Sequence, residues 1–214
     1  PDGAVVGLVP TYIKSNSHGD FVRDWSWAAA YQQLGKTYYP KLLSGVPHTP
    51  ASGPRFLVAA GSDSDQVRTR LIEHIKASVA ESGFSSWHVA LPAADEVELL
   101  RANGLLVSHD VQFHWRDHGY GDFDGYLVAF PSAKRRKVKA ERRRVGENGL
   151  TIEVRHGNEI APDEWPALYQ LYAATFDKYG NYAAFSAACF ADLAAALGRR
   201  MVVFIARQQG APVA

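Results

Sequence analysis

The chain has little cysteine, little charge and no long apolar run. Its single cysteine, Cys189, excludes a disulfide framework and a cysteine-rich zinc site. Cys189 falls at a core position of a predicted helix, so we expect it to pack and not to act as a nucleophile. Charged residues make up 21% of the 214 residues, too few for a disordered or fibrous protein. The longest apolar run, residues 201–206, is far shorter than the roughly 20 residues of a membrane span.

These absences favour an ordinary globular protein without a membrane span, and a bacterial type of cytoplasm is the default expectation for its location. Both ends of the sequence resemble cut ends. The chain opens without Met on a strand-like run and closes on residues 208–214, a pattern typical of half a hairpin. We therefore expect a fold that is truncated at both ends.

The charge is unevenly distributed along the chain. Residues 134–144 hold eight basic side chains and one acidic one (+7), whereas the remainder holds 15 basic and 21 acidic ones (−6). This split favours contact of the basic segment with phosphates, other anions or RNA, although a solvated basic helix is the more frequent explanation of such a run. The candidate anion- or RNA-binding residues are Lys134, Arg135, Arg136, Lys137, Arg142 and Arg143.

Residue patterning predicts alternating strands and helices, an order typical of α/β or mixed α+β sheet proteins. Strands are predicted over residues 5–13, 38–46, 86–91, from 105, 111–116, 150–155 and 201–206. Residues 5–13 are apolar on both faces, which predicts a strand at the centre of a sheet. Helices are predicted over residues 24–34, between the capping residues 62–65 and Gly83, over 94–103, 123–131 and 132–147, from Pro162, and over 185–197.

Three histidines lie close together in the sequence, at His109, His114 and His118. They do not share one face of a strand, so we expect no metal site there. In the predicted strand 111–116, His114 faces away from Phe113 and Trp115. His114 is therefore either a catalytic base or a hydrogen-bonded histidine of the sheet.

Seven segments occur in an order that is informative when they are taken together. They read VPTYIKS (9–15), FVRDWSWA (21–28), YYPKL (38–42), PHTP (47–50), GPR (53–55), QFHW (112–115) and the basic run 132–144. Together they resemble the FemAB-like predicted N-acyltransferases, a peptidoglycan biosynthesis or recognition family of the GNAT superfamily. The resemblance extends over essentially the whole chain.

The resemblance implies an acyl-CoA N-acyltransferase (GNAT-like) fold in two tandem domains. Residues 1–131 would form a partial first domain, 132–148 a basic linking helix, and 149–214 the first half of a second domain. The implied reaction moves an acyl or aminoacyl group from acyl-CoA or aminoacyl-tRNA to a small-molecule or peptide amine, in peptidoglycan metabolism. The donor of FemAB-type enzymes makes tRNA a partner of the basic helix. The alternative function is a non-catalytic anion- or RNA-binding module with the same fold.

A standard coenzyme A donor site needs a glycine-rich loop at a helix N-terminus, where free N–H groups bind the pyrophosphate. The nearest equivalent is the loop 47–65, whose glycines do not have the usual spacing. We therefore expect no standard donor site in the first domain, and place any such site beyond Ala214.

Polar residues around the first predicted strand pair form the best candidate for an acceptor cleft. We select Asp24, His18 and His114 as catalytic candidates, since carboxylates and imidazoles can take a proton from an amine. The substrate-binding candidates are Lys14, Trp25, Tyr39, Lys41, His48 and Arg55, with Ser17, Trp27 and Tyr38 beside them. The alternative interpretation is that Asp24 caps a helix, the aromatic residues form core and the cations lie at the surface.

The predicted strand 201–206 lacks the remainder of a second domain beside it. An uncovered strand edge favours pairing with another chain. We therefore expect a homodimer, exchange of strands, or further residues that cover this edge.

Overall fold

The apolar residues near the start of the chain form two short strands, β1 (Gly7–Leu8) and β2 (Thr11–Lys14), and not one. The interruption includes Pro10, which has no N–H to donate to a ladder. The computed structural model describes residues 3–214. Over that range the fold is mixed α/β, with three small sheets and seven α-helices.

The central strand of the first three-stranded sheet is β3 (Lys41–Ser44). It pairs antiparallel with β2 and parallel with β5 (Trp87–Val89). A separate two-stranded ribbon joins β1 to β4 (Leu57–Val58). The expectation that residues 5–13 form a central strand is therefore wrong: β2 is an edge strand, and two thirds of the Ile13 surface is exposed.

Three helices of this part of the chain lie where the sequence predicts them. They are α1 (Trp25–Gln33), α2 (Ser64–Ser82) and α3 (Ala94–Ala102). Asp63 caps α2 by accepting a hydrogen bond from the Gln66 N–H at 3.1 Å, and Gly83 ends it in the left-handed conformation. A core of Phe56, Ile72 and Leu100 packs α2 and α3 against β5.

The remaining elements are α4 (Phe123–Val128), α5 (Ser132–Glu147), β6 (Leu150–His156), α6 (Trp165–Lys178), α7 (Ala187–Leu197), β7 (Val202–Gln208) and β8 (Ala211–Pro212). The three strands form an antiparallel sheet in the order β6-β7-β8. Ile160, Trp165 and Ala194 form its core, and Trp165 stacks on Phe190. The predicted order of strand, two helices and strand is confirmed.

Several predictions for the second half of the chain are wrong. Residues 105–116 form no strand, and Phe113 and Trp115, predicted to face inward, are 97% and 67% exposed. Alternation is typical of a strand with two different faces, but within residues 3–214 no strand pairs with this segment. Pro162 opens a turn, and α6 begins only at Trp165. The strand β7 is buried on one face only, because Phe204 is mostly exposed while Ile205 is buried.

The chain divides into two compact units between Asp110 and Val111. We call them the first unit, residues 1–110, and the second unit, residues 111–214. The helix α5 lies inside the second unit. The sequence-based division into domains at residues 131 and 148, and the homodimer, stay predictions.

A buried glutamate fixes the proline-rich loop that follows β3. Glu96 of α3 is fully buried, and its carboxylate accepts hydrogen bonds from the N–H groups of Arg55 (2.8 Å), Phe56 (2.9 Å) and Ala93 (3.3 Å). The Arg55 guanidinium donates to three main-chain carbonyls, those of Ala90 (2.8 Å), Ala51 (2.5 Å) and Pro54 (3.3 Å). Burial lowers the pKa of Arg55. Arg55 is thus engaged in holding its own loop.

We expect Glu96→Ala to lower the free energy of unfolding by about 2 to 4 kcal/mol, because it leaves buried N–H groups without an acceptor. Urea titration measures this change. Glu98→Ala on the same helix is the matched control. Glu98 is exposed and pairs with Arg101, so its loss should change the free energy of unfolding by no more than about 0.5 kcal/mol. Equal effects of the two variants would contradict the structural role of Glu96.

Candidate functional site

The first unit contains a buried ionic cluster centred on Lys41, the first residue of β3. The Lys41 ammonium is fully buried and contacts three oxygen atoms. It lies 3.0 Å from Asp20 Oδ2, donates to Ser17 Oγ at 2.9 Å, and donates to Asp24 Oδ2. The loop between β2 and α1 supplies all three partners, so this loop is held against the central strand by charge.

Aromatic and imidazole groups extend the cluster. Tyr38 donates its hydroxyl proton to Asp24 Oδ2 at 2.5 Å, and its oxygen lies 3.2 Å from His88 Nε2. His88 belongs to β5 and reaches this position because β5 pairs with β3. The same Nε2 lies 2.9 Å from Ser86 Oγ. We call Ser17, Asp20, Asp24, Tyr38, Lys41 and His88 the Lys41 cluster.

The buried charges of the Lys41 cluster do not cancel. One ammonium faces two carboxylates, and Asp24 Oδ1 is buried with no hydrogen-bond partner among residues 3–214. Burial acts to raise the pKa of Asp24, but hydrogen bonds from Lys41, Ser17 and Tyr38 outweigh it and lower that pKa to about 2. Asp24 is therefore ionised throughout the neutral range.

The neighbours of Asp24 are held in their neutral forms. Burial, together with the adjacent Asp24 carboxylate, raises the pKa of Tyr38 far above its ordinary value. Burial and the positive charge of Lys41 lower the pKa of His88. At pH 7 the phenol thus keeps its proton and the imidazole is neutral.

Two hydroxyl groups lie near His88 Nε2, that of Tyr38 at 3.2 Å and that of Ser86 at 2.9 Å. Tyr38 donates its only proton to Asp24 Oδ2, so the phenol oxygen can only accept from His88. That hydrogen bond places the imidazole proton on Nε2 and a lone pair on Nδ1, whereas donation by the Ser86 hydroxyl places the proton on Nδ1. The side chain of His88 is 21% exposed, so the imidazole reaches the surface.

The structure brings together three of the residues selected from the sequence, namely Asp24, Tyr39 and Lys41. Tyr39 joins the cluster through a hydrogen bond of 2.8 Å between its hydroxyl and Ser17 Oγ. The alternative interpretation fails for Asp24, whose side chain makes no capping hydrogen bond. It fails also for the buried Lys41 and for Trp25, which is 52% exposed.

Other selected residues lie in the adjoining loop. Lys14 is opposite Lys41 in the register of β2 and β3, and its ammonium donates to the His18 carbonyl at 2.9 Å. The His18 ring makes an edge contact with Trp25, with centroids 5.1 Å apart. Gly19 has φ +71° and lies so close to the His48 ring that a Cβ there would meet Nδ1 at 2.1 Å. Lys14, His18, Trp25 and His48 are thus linked around the loop 15–20.

Two selected residues lie elsewhere. Arg55 is occupied by carbonyls of its own loop, as described above. His114 belongs to the second unit, where it is exposed and lies 3.0 Å from Gln112 Oε1. The structure does not bring either side chain into the Lys41 cluster by a hydrogen bond.

Sequence reasoning missed Asp20 and His88. Asp20 was visible in the same loop as Ser17 and His18, since a second carboxylate near a lysine is a signal for an ionic cluster. His88 carried no local signal, because it enters the cluster only through the pairing of β3 with β5.

The basic helix α5 has no buried residue and no acidic side chain in its first turn. Ion pairs join Lys137 to Glu141, Lys139 to Asp124, and Arg143 to Glu147. Two further cations lie over aromatic rings, Lys134 over Phe130 and Arg142 over Phe123. Within residues 3–214, Arg135, Arg136 and Arg144 make no ion pair.

In the described part of the chain, no group of three or more His, Cys, Asp or Glu side chains is arranged to hold a metal ion. Over the same residues, none of the helices combines the length and apolar character that crossing a membrane requires.

The lowered pKa values of His88 and Asp24 predict a loss of stability in acid. In both cases the unfolded chain binds its proton at a higher pH than the folded chain, so the free energy of unfolding falls as pH decreases. The His88 contribution is lost below about pH 6.5, the ordinary value for histidine, and the Asp24 contribution, on the order of 2 kcal/mol, between about pH 5 and pH 2.

Urea titrations at successive pH values test this. We expect His88→Asn to flatten the slope of unfolding free energy between pH 6.5 and 5, whereas His74→Asn, at an exposed position of α2, should leave that slope unchanged. A His88→Asn slope equal to the wild-type slope would show that His88 is not held neutral by the fold.

No curated protein and no solved structure matches the chain. A profile of the FemAB-like family, described as peptidoglycan biosynthesis or recognition, matches residues 1–214. The match covers every segment of the Lys41 cluster and of α5. The chain therefore belongs to the FemAB-like family.

Proposed function

We propose that the protein is an N-acyltransferase that transfers an acyl or aminoacyl group to an amine in peptidoglycan metabolism, on a fold of tandem GNAT-like domains. Family membership over the whole chain supports the reaction class. The single observation that carries the proposal further is the Lys41 cluster, where a buried carboxylate and a tyrosine support a neutral, partly exposed His88.

In the proposed reaction the acceptor amine attacks the carbonyl carbon of the donor ester or thioester. The C–N bond forms and the C–O or C–S bond breaks. His88 Nδ1 takes the proton that the amine loses and returns it to the leaving alkoxide or thiolate, so that no net charge is left behind. The acceptor binds beside the loop 15–20, against Lys14, Trp25 and Tyr39, with His18 and His48 at its edge.

The proposal changes the role of Asp24. A carboxylate whose pKa is about 2 is too weak a base to deprotonate an amine. Its place between Tyr38 and Lys41 suits a positioning residue, which favours the Nε2-protonated tautomer of His88 through the phenol and holds the cluster negative. Lys41 in turn keeps Asp24 ionised.

For the donor, aminoacyl-tRNA is favoured over acyl-CoA. The loop 47–65 of the first unit lacks the glycine spacing of a phosphate loop, and Glu96 fixes part of it by its main-chain N–H groups. The exposed cations of α5 offer contacts to a phosphate backbone. A tRNA donor uses those cations, whereas a small thioester does not need them.

The test is aminoacyl transfer from charged tRNA to a peptidoglycan-precursor peptide with a free amine, with acyl-CoA assayed in parallel. We expect His88→Asn to lower kcat about 10²- to 10⁴-fold, as loss of a general base does. The matched control His74→Asn should retain wild-type kcat. Asp24→Asn should lower kcat and shift the pH profile, as expected of a residue that acts through His88. Wild-type kcat in a folded His88→Asn variant would overturn the assignment.

A second candidate function is a non-catalytic RNA- or anion-binding module, which the unpaired cations of α5 favour. We expect binding of single-stranded RNA to weaken with salt, with a log–log slope near −0.7 per phosphate contacted. Replacement of Lys134, Arg135, Arg136 and Lys137 by Gln should remove most of this slope and leave the circular dichroism spectrum unchanged.

The matched control is replacement of the exposed first-unit cations Lys36 and Arg70 by Gln, which should leave the slope as it is. Salt-dependent binding by α5 with no transfer from either donor favours the module. Absence of any salt-dependent binding, together with unfolding of the quadruple variant, would show that the basic run serves structure alone.

A further inference from the structure

The second unit contains a groove that plays no part in the proposed reaction. Its volume is about 430 Å³, and it lies where the loop before α4 meets that helix. Aromatic and acidic side chains line it: Trp115, Asp117, Tyr120, Asp122, Phe123 and Tyr126. We call it the aromatic groove.

Three rings of the aromatic groove contact one another. Trp115 and Tyr120 are tilted by 35° relative to each other, with centroids 6.5 Å apart. Tyr126 stands nearly perpendicular to both, at 75° to Trp115 and 72° to Tyr120. Two thirds of the Trp115 surface is exposed, so a ligand can reach the face of an indole ring.

The charges that line the groove are both negative. Asp117 Oδ1 accepts hydrogen bonds from the N–H groups of Gly119 (2.9 Å) and Tyr120 (3.4 Å), and Asp122 Oδ1 accepts one from Gly125 (2.8 Å). These bonds fix both carboxylates at the groove. No lysine or arginine is among the lining residues, although α5 is rich in both.

Rings of the same aromatic cluster already hold cations of the protein. The Arg142 guanidinium lies 3.9 Å from the centroid of Phe123, and the Lys134 ammonium lies 4.4 Å from that of Phe130. Phe130 in turn contacts Tyr126, with centroids 4.9 Å apart. The π-electron faces of this cluster thus attract positive charge, as the ring quadrupole requires.

We propose that the aromatic groove binds a small alkylated ammonium group. Aromatic faces attract such a cation and pack against its methyl groups, while Asp117 and Asp122 supply the opposite charge. A phosphate ligand finds no cation in the lining, and its own charge is repelled by both carboxylates. This binding site is independent of the proposed acyl transfer, and a separate binding measurement tests it.

The experiment is an NMR titration of the full chain with tetramethylammonium and with choline, following the indole N–H signal of Trp115. For an open groove we expect a Kd on the order of 1 mM. The neutral isostere of choline, 3,3-dimethylbutan-1-ol, should bind at least about fivefold more weakly, because it lacks the charge. Adenosine monophosphate and N-acetylglucosamine are titrated as competing ligand classes.

Conservative variants identify the groups responsible. Asp117→Asn and Asp122→Asn keep the oxygen that accepts the main-chain hydrogen bonds but remove the charge. Each variant should therefore bind tetramethylammonium about two- to fivefold more weakly and bind the neutral isostere with unchanged affinity. Trp115→Ala should abolish binding. Because this variant lacks the indole signal, its titration is monitored through the ring signals of Tyr120 and Tyr126. Trp27→Ala, at an exposed tryptophan of the first unit, is the matched control and should bind normally.

Three results would overturn the proposal. One is equal affinity for choline and its neutral isostere, which assigns the groove to apolar ligands. Another is tighter binding of the nucleotide or the sugar at the same signals. The third is no shift of the groove signals with any cation at 50-fold the expected Kd, about 50 mM.

Discussion

The buried contact between Lys41 and the carboxylates of Asp20 and Asp24 is the constraint on which the first unit depends. Moving an ammonium out of water costs several kcal/mol, which is recovered only when its partners are close and hydrogen-bonded. Here two partners come from one loop and the ammonium from the central strand of the sheet. The loop 15–24 therefore cannot move away from β3 without leaving a bare charge inside the protein.

That constraint also organises the protons of the site. Because Asp24 stays ionised, Tyr38 donates its proton to the carboxylate and offers only an acceptor oxygen to His88. The fixed negative charge of Asp24 thus favours the tautomer of His88 that carries its proton on Nε2. The cluster is a polar network in which each member sets the state of the next.

Elements governed by local chemistry could be predicted from the sequence, and elements governed by pairing could not. Asp63 and Gly83 mark the ends of α2 by rules that involve only neighbouring residues, and Asp24 and Lys41 were correctly expected to lie together. His88 was missed because only the β3–β5 pairing brings it there. The prediction for Phe113 and Trp115 was wrong for the converse reason: their alternation is typical of a strand, but no strand among residues 3–214 pairs with it.

The carboxylate of Glu96 has a consequence for selectivity. It holds the main chain at Arg55 and Phe56, while the Arg55 guanidinium binds the carbonyl of Ala51, three residues after His48. In the proposed reaction, a loop held in this way would select the acceptor by its shape. An acceptor that fits the loop would require little ordering of the protein on binding, and one that does not fit would meet a loop that cannot adjust.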